Sequence, residues 1–190
     1  MEVELNAEAK EKRLNRMVAL TVVALSIVMG LGQVKDGNIV QAMAQAQSNA
    51  VDRWGEYQAT RTKLHIDETA QAQLGVLEGI GGARLQPATE AERTRLAAEI
   101  AKYRRETPEL RKAAEGFQAQ YDALNVHDDQ FDASDALLAI AISIAAVAAL
   151  ADSAAALYAG WVFGALGVLM ALAGFLGWSL HWDFMSRLLS

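Results

Sequence analysis

The stretch "AALADSAAALY", residues 148–158, interrupts a 42-residue apolar run, Leu137 to Trp178, whose only charged residue is Asp152. A membrane-spanning helix needs about 20 apolar residues. The run is therefore long enough for two spans and a tight turn. A charge at the bilayer centre costs at least about 2.5–3.5 kcal/mol, and far less at the interface. Asp and Ser also favour turns and helix N-caps, because their side chains bind nearby backbone N–H groups. These costs place Asp152 and Ser153 in a turn between spans at 137–152 and 156–178. The competing reading makes Asp152 a working carboxylate at membrane depth, in a transport pathway.

Working outward, "MVALTVVALSIVMGLGQV" (Met17 to Val34) is eighteen residues without a charge. At 1.5 Å per residue it just crosses a hydrocarbon core of roughly 30 Å. Lys10, Lys12, Arg13 and Arg16 precede it, whereas Lys35 stands nearly alone after it. That imbalance orients residues 1–16 toward the cytoplasm. Residues 35–136 then lie outside, as does the tail 179–190. A cleaved signal peptide is the rival reading, with A-x-A-like sites in "AMAQA" (Ala42 to Ala46). Those sites lie past Lys35 and Asp36, so the segment reads as an uncleaved anchor. Trp161, Trp178 and Trp182 fall near the ends of the third span, where indole rings prefer the headgroup region.

Composition narrows the function classes. Net charge is −6, apolar residues make up 53%, and cysteine is absent. There is no basic footprint for nucleic acid, and no thiolate chemistry, disulfide or Cys-based zinc site. His65, His127 and His181 are scattered. No nucleophile elbow, P-loop, HExxH or Rossmann fingerprint occurs, so the sequence points away from an enzyme and from any cofactor.

The middle region reads as two helices broken at 79–87, "GIGGARLQP", where three glycines and a proline stop a helix. "TEAE" (Thr89 to Glu92) has the form of a capping box opening the second. In that helix Leu96, Ile100, Tyr103, Thr107, Leu110, Ala114, Phe117, Tyr121 and Leu124 recur at 4–3 spacing, the seam of a coiled coil. Pro108 should kink or restart it. In the first helix the same spacing picks out Met43, Gln47, Ala50, Trp54, Tyr57, Arg61 and Leu64. Beyond them Ile66, Ala70 and Leu77 imply a register change. The expected fold is an all-α membrane protein with three transmembrane helices and an extramembrane antiparallel helical hairpin. Because the first seam is short, Ile100, Leu110 and Phe117 are expected to need cover from another subunit.

The chain resembles a family of uncharacterised bacterial inner-membrane proteins with a domain of unknown function. The residues that carry the resemblance are the basic N-terminus with its first span, "SNAVDRWGEYQATRTK" (Ser48 to Lys63) and "FDASDALLAIAISIAAVAAL" (Phe131 to Leu150). Within the second stretch, Trp54, Tyr57, Gln58, Ala59 and Lys63 match the family's most recognisable pattern. The resemblance implies an anchored helical protein and no particular activity.

Three groups are candidate sites. Trp54, Tyr57, Gln58 and Lys63 form either a recognition surface or, for the aromatics, ordinary seam packing. "HDDQFDASD" (His127 to Asp135) brings Asp128, Asp132 and Asp135 to one helix face. Such acids could hold a hard cation, but the EF-hand spacing is missing and a solvated helix start is the simpler reading. Gly160, Gly164, Gly167, Ala171 and Gly174 form a small-residue stripe that lets helices approach closely, within the chain or between subunits. The favoured function is a self-assembling structural or interaction protein whose partners are the bilayer, further copies and an unidentified membrane protein. The alternative is a small channel or an accessory subunit of a transport complex. Ser143 is the lone polar side chain between Leu137 and Asp152, which speaks against a conducting path.

Overall fold

The computed structural model describes residues 2–81 and 86–178, with side chains from residue 11 onward. The middle of the turn at 79–87 and the tail 179–190, with His181 and Trp182, lie outside the described residues. Among those described, the protein is all-helical: α1 (Glu2–Gly81), α2 (Gln86–Leu150) and α3 (Ala154–Leu176). Each contains a stretch long and apolar enough to cross a membrane. The apolar segment at 17–34 and the polar stretch after it are thus one uninterrupted helix, and so are the polar stretch from Gln86 and the second apolar segment. Nothing in the sequence forbids this, because Val34 to Ile39 holds no proline and Gly37 alone is a weak breaker.

The turn between α2 and α3 falls at Asp152. Its φ is 45°, a left-handed conformation that Asp tolerates better than most residues. Ser153 is the N-cap of α3, its hydroxyl accepting from the Ala156 N–H at 3.3 Å. At the other end Gly177 takes φ 68°, and the Trp178 N–H returns to the Ala173 carbonyl at 3.0 Å. That closure is the glycine cap expected where α3 stops.

Two features of α2 differ from expectation. The helix begins at Gln86, three residues before the proposed capping box, because Pro87 suits a first helical turn. Thr89 therefore lies inside that turn, its hydroxyl donating to Glu78, while Glu92 pairs with Arg95. The helix also runs unbroken through Pro108. One residue earlier, the Thr107 hydroxyl donates to the Tyr103 carbonyl at 2.6 Å.

The chain divides into two units, Met1–Met43 with Asp122–Ser190, and Ala44–Tyr121. In the first, three clusters fill the contacts. Leu14 and Val18 meet Ala145, Ala148 and Leu157; Leu25 meets Leu138 and Ala141; Ala133 and Leu137 meet Met170. The side chains facing away from these contacts, among them Leu20, Val23, Ile27, Leu31 and Val34, are large, apolar and exposed. A row of that kind suits hydrocarbon rather than water.

In the second unit α1 and α2 pair antiparallel, with Arg104 bonded to Glu68 at 2.8 Å and Thr89 to Glu78. The covered face of α1 holds Met43, Ala50, Trp54, Tyr57 and Leu64 of the expected seam, but differs from it at two positions. Ala46 and Thr60 are buried, while Gln47 and Arg61 are exposed. Ile39, Met43, Ala46, Ala50, Tyr57, Thr60, Leu64, Asp67, Leu74, Glu78 and Gly81 are all buried or half-buried. They follow a 4–3 period except at Arg53 and Gln71, which are exposed where Trp54 and Ala70 are half-buried, and the shift to Ile66 and Leu77 expected after Leu64 does not occur. Ala46, Ala50 and Thr60 are small members of this seam. Val51, Ile66, Val76, Leu77 and Ile80 are exposed.

Candidate functional site

The α2 seam named from sequence is taken up within the chain. Leu96, Ile100 and Ala114 are buried, and Tyr103, Thr107, Leu110, Phe117, Tyr121 and Leu124 are half-buried. Of the side chains expected to need cover from another subunit, Ile100 is buried within the chain, whereas Leu110 and Phe117 are half-buried. Trp54 and Tyr57 are half-buried on α1 and meet edge to face at 5.5 Å. Gln58 and Lys63 are exposed. Lys63 lines an open groove with Glu56, Thr60, Glu106, Glu109 and Leu110.

The small-residue stripe on α3 packs against its own chain. A Cβ added at Gly160 would meet the Ala141 carbonyl at 3.2 Å, and one at Gly164 the Leu25 side chain at 3.1 Å. At Gly167 it would meet Leu138 at 2.8 Å, and at Gly174 Phe131 at 2.7 Å. Ala171 is buried beside them. The stripe is the seat for α2 and for Leu25 of α1.

The most distinctive constellation surrounds the acidic stretch of α2, and it differs from the solvated helix start anticipated. Residues 127–135 lie mid-helix, so no helix N-terminus compensates them. Moreover, the 4–3 period of α2 continues past Leu124 through Asp128, Phe131 and Asp135 to Leu138. Asp128 and Asp135 therefore occupy seam positions. Opposite them α1 supplies Asp36, which lies on the row formed by Gly32, Asp36, Ile39 and Met43. Asp36 shares a side-chain hydrogen bond with Asp128, and Gln33 Nε2 donates to Asp135 Oδ2 at 3.1 Å. Asp36 Oδ1 is buried and has no donor.

Three carboxyl groups on two helices, Asp36, Asp128 and Asp132, have their proton affinity raised by burial and by neighbouring acids. Burial pushes Asp36 up, and the charge of Asp135 adds to this, although the bond to Asp128 works the other way. Asp128 is pushed up to about 6 by burial first, then by the charges of Asp36 and Asp132. Asp132 rises through burial and the charges of Asp36, Asp129 and Asp135. Around them the contacts are neutral. Gln130 is buried, its amide donating to the Trp178 carbonyl at 2.7 Å while His127 Nδ1 meets its Oε1 at 3.2 Å. Phe131 stacks edge to face on Phe175 at 5.2 Å.

These carboxyls can hold protons more readily than they can hold a metal. Among the described residues no three His, Cys, Asp or Glu side chains converge as a metal site. Sequence reasoning found Asp128, Asp132 and Asp135 but missed Asp36, which lies 92 positions before Asp128. Its signal was a lone acid on the seam row of α1, visible only once that row is extended back from Met43.

No curated protein and no solved structure matches the chain. The model of one family, described as Domain of unknown function (DUF4337), does match, over residues 14–177. That span holds both apolar hairpin partners, the acidic pairs and the whole of α3. The chain belongs to the DUF4337 family.

Proposed function

We propose that this protein is a scaffold anchored in the bacterial inner membrane, with its N-terminus cytoplasmic and residues 35–136 periplasmic, which assembles with further copies of itself. The three apolar segments and the Lys/Arg imbalance around the first support the anchor and its orientation. One observation carries the assembly: the extramembrane part of α1 turns large apolar side chains away from α2. Ile66, Leu77 and Ile80 lie on one row with Gln73, and Val76 sits beside them; Ile80 is 80% exposed. Thr69, Ala72, Gln73, Val76 and Leu77 line a shallow apolar groove along the same face.

The occupant that fits is a second copy of α1. Residues 69–77, "TAQAQLGVL", carry no charge, so two identical faces meet without repulsion. Copies anchored in one membrane also present α1 in the same direction, which brings Ile66 to Ile66 and Ile80 to Ile80 at 4–3 spacing. Covering each such side chain contributes about 1–2 kcal/mol.

The test is the mass of the purified protein in a detergent that preserves membrane assemblies, beside an Ile66→Glu, Ile80→Glu variant. An oligomeric wild type and a monomeric variant are expected. A monomeric wild type, or an oligomer indifferent to both glutamates, overturns the reading and leaves a different membrane protein as the cover for this face.

A further inference from the structure

Among the described residues two buried side-chain atoms have no hydrogen-bond donor, Asp36 Oδ1 and Asp67 Oδ2. Both are carboxylate oxygens, both lie on seam positions of α1, and both residues meet a carboxyl group of α2. Asp36 meets Asp128, and Asp67 meets Glu99. Two ionised carboxylates cannot hydrogen-bond to each other, whereas one protonated partner turns the contact into an O–H···O⁻ bond, the strong kind. We propose that these two pairs are proton-held clasps between α1 and α2, so that closure of each helix pair tightens as the medium is acidified.

The surroundings decide which partner carries the proton. Arg95 Nη1 lies 3.0 Å from both oxygens of Glu99, while Arg95 Nη2 and Nε bind Glu92. With both Glu99 oxygens already accepting from Arg95, Asp67 is the donor of this pair. Facing Asp67 from α2 are Glu99, Arg95 and Glu92; on its own helix Glu68 is turned to Arg104. Burial, then the Glu99 charge and its hydrogen bond, raise Asp67 above the usual carboxylate range. In the other pair Asp128 is the donor. Asp36 faces it from α1, Asp129 and Asp132 from α2, and Asp135 faces Asp36. The described part of α3 has no charged residue.

The sign follows from linkage. A carboxyl whose affinity is raised by folding binds more protons folded than unfolded, so its contribution is full below the unfolded value and is lost as pH rises through the folded one. For Asp128 that window runs from 3.8 to about 6. Surface pairs such as Arg104 with Glu68, where the guanidinium holds the carboxyl below its usual range, act with the opposite sign, so a global melt would blur the effect. A local readout is needed.

The experiment is amide hydrogen exchange on the full chain in nanodiscs at pH 7.5 and 5, corrected for intrinsic rates, with Asp67→Asn and Asp128→Asn beside wild type. Asparagine mimics the neutral carboxyl in shape and still offers a donor. Wild type is expected to show protection several-fold higher at pH 5 around Asp36, Asp67 and their partners. Asp67→Asn should lose the dependence only around residues 60–74 and 92–103. Asp128→Asn should lose it only around residues 32–39 and 124–135. Equal wild-type protection at both pH values overturns the proposal, and so does either variant keeping the wild-type dependence. Should a variant fail to fold, Glu99→Gln replaces Asp67→Asn and Asp36→Asn replaces Asp128→Asn, with the same regional loss required. This outcome is independent of the oligomeric mass that tests the assembly.

Discussion

The Ser134 hydroxyl on α2 donates to the Gly167 carbonyl on α3 across 2.9 Å, between residues 33 positions apart. The bond exists because Gly167 has no side chain: a Cβ there would lie 2.8 Å from Leu138 and 3.2 Å from Leu137. A small residue sets the helix spacing, and a hydroxyl then adds a second donor to a helix carbonyl across the contact. Gly167→Leu should therefore lower stability in detergent by about 3 kcal/mol or more. Leu169→Ala, on the exposed face two residues on, should cost well under 1 kcal/mol. Equal unfolding midpoints would show that the stripe is not a packing contact.

The apolar segments were legible because hydrocarbon imposes a length and forbids charge, and both leave marks in the sequence. The turn at Asp152 was legible for the same reason. The α1 seam was legible only in part. Ala46 and Thr60 are poor advertisements for burial, whereas Ile66 and Leu77 are strong ones, and a reading weighted by side-chain size misses the first two and follows the last two. The acidic pairs were hidden differently. The apolar seam ends at Leu124, so Asp128 was grouped with Asp132 and Asp135 instead of being seen on its continuation, and only tertiary contact brings Asp36 to it.

The corrected register makes a prediction of its own. Ala46→Glu and Thr60→Glu should each destabilise the helix pair by about 2–4 kcal/mol, since each buries an unpaired carboxylate in the contact. Gln47→Glu and Arg61→Glu, one residue away on the exposed side, should stay within about 0.5 kcal/mol of wild type. Denaturant midpoints of the four variants check this, and a reversed order would restore the seam through Gln47 and Arg61.

Asp152 offers a test of the turn against the transport alternative. Its φ of 45° strains most L residues by roughly 1–2 kcal/mol and glycine not at all. Asp152→Gly should leave stability unchanged or raise it by up to about 1 kcal/mol. Asp152→Val should lower it by about 1–2 kcal/mol through strain at a β-branched residue. Asp152→Asn should be silent in stability and in any flux assay with reconstituted vesicles. Loss of an ion flux in the asparagine variant, with the fold intact, would make the carboxylate a working group.

The proposed orientation across the membrane rests on Lys10, Lys12, Arg13 and Arg16 before the first apolar segment and on the scarcity of positive charge just after it. The chain has no cysteine of its own, so single cysteines report without background. Gly79→Cys is a suitable outer probe, because Gly79 is exposed and a side chain there meets nothing within 4 Å. Ala151→Cys is the inner probe; it is exposed in the α2–α3 turn and leaves the Ser153 cap in place. In intact cells a membrane-impermeant thiol reagent should label residue 79 and spare residue 151, and permeabilised cells should label both. Labelling of 151 alone in intact cells would invert the topology. It would also move the Asp67 and Asp128 clasps to the cytoplasmic side, where pH is held near neutral and acidification could not be their signal.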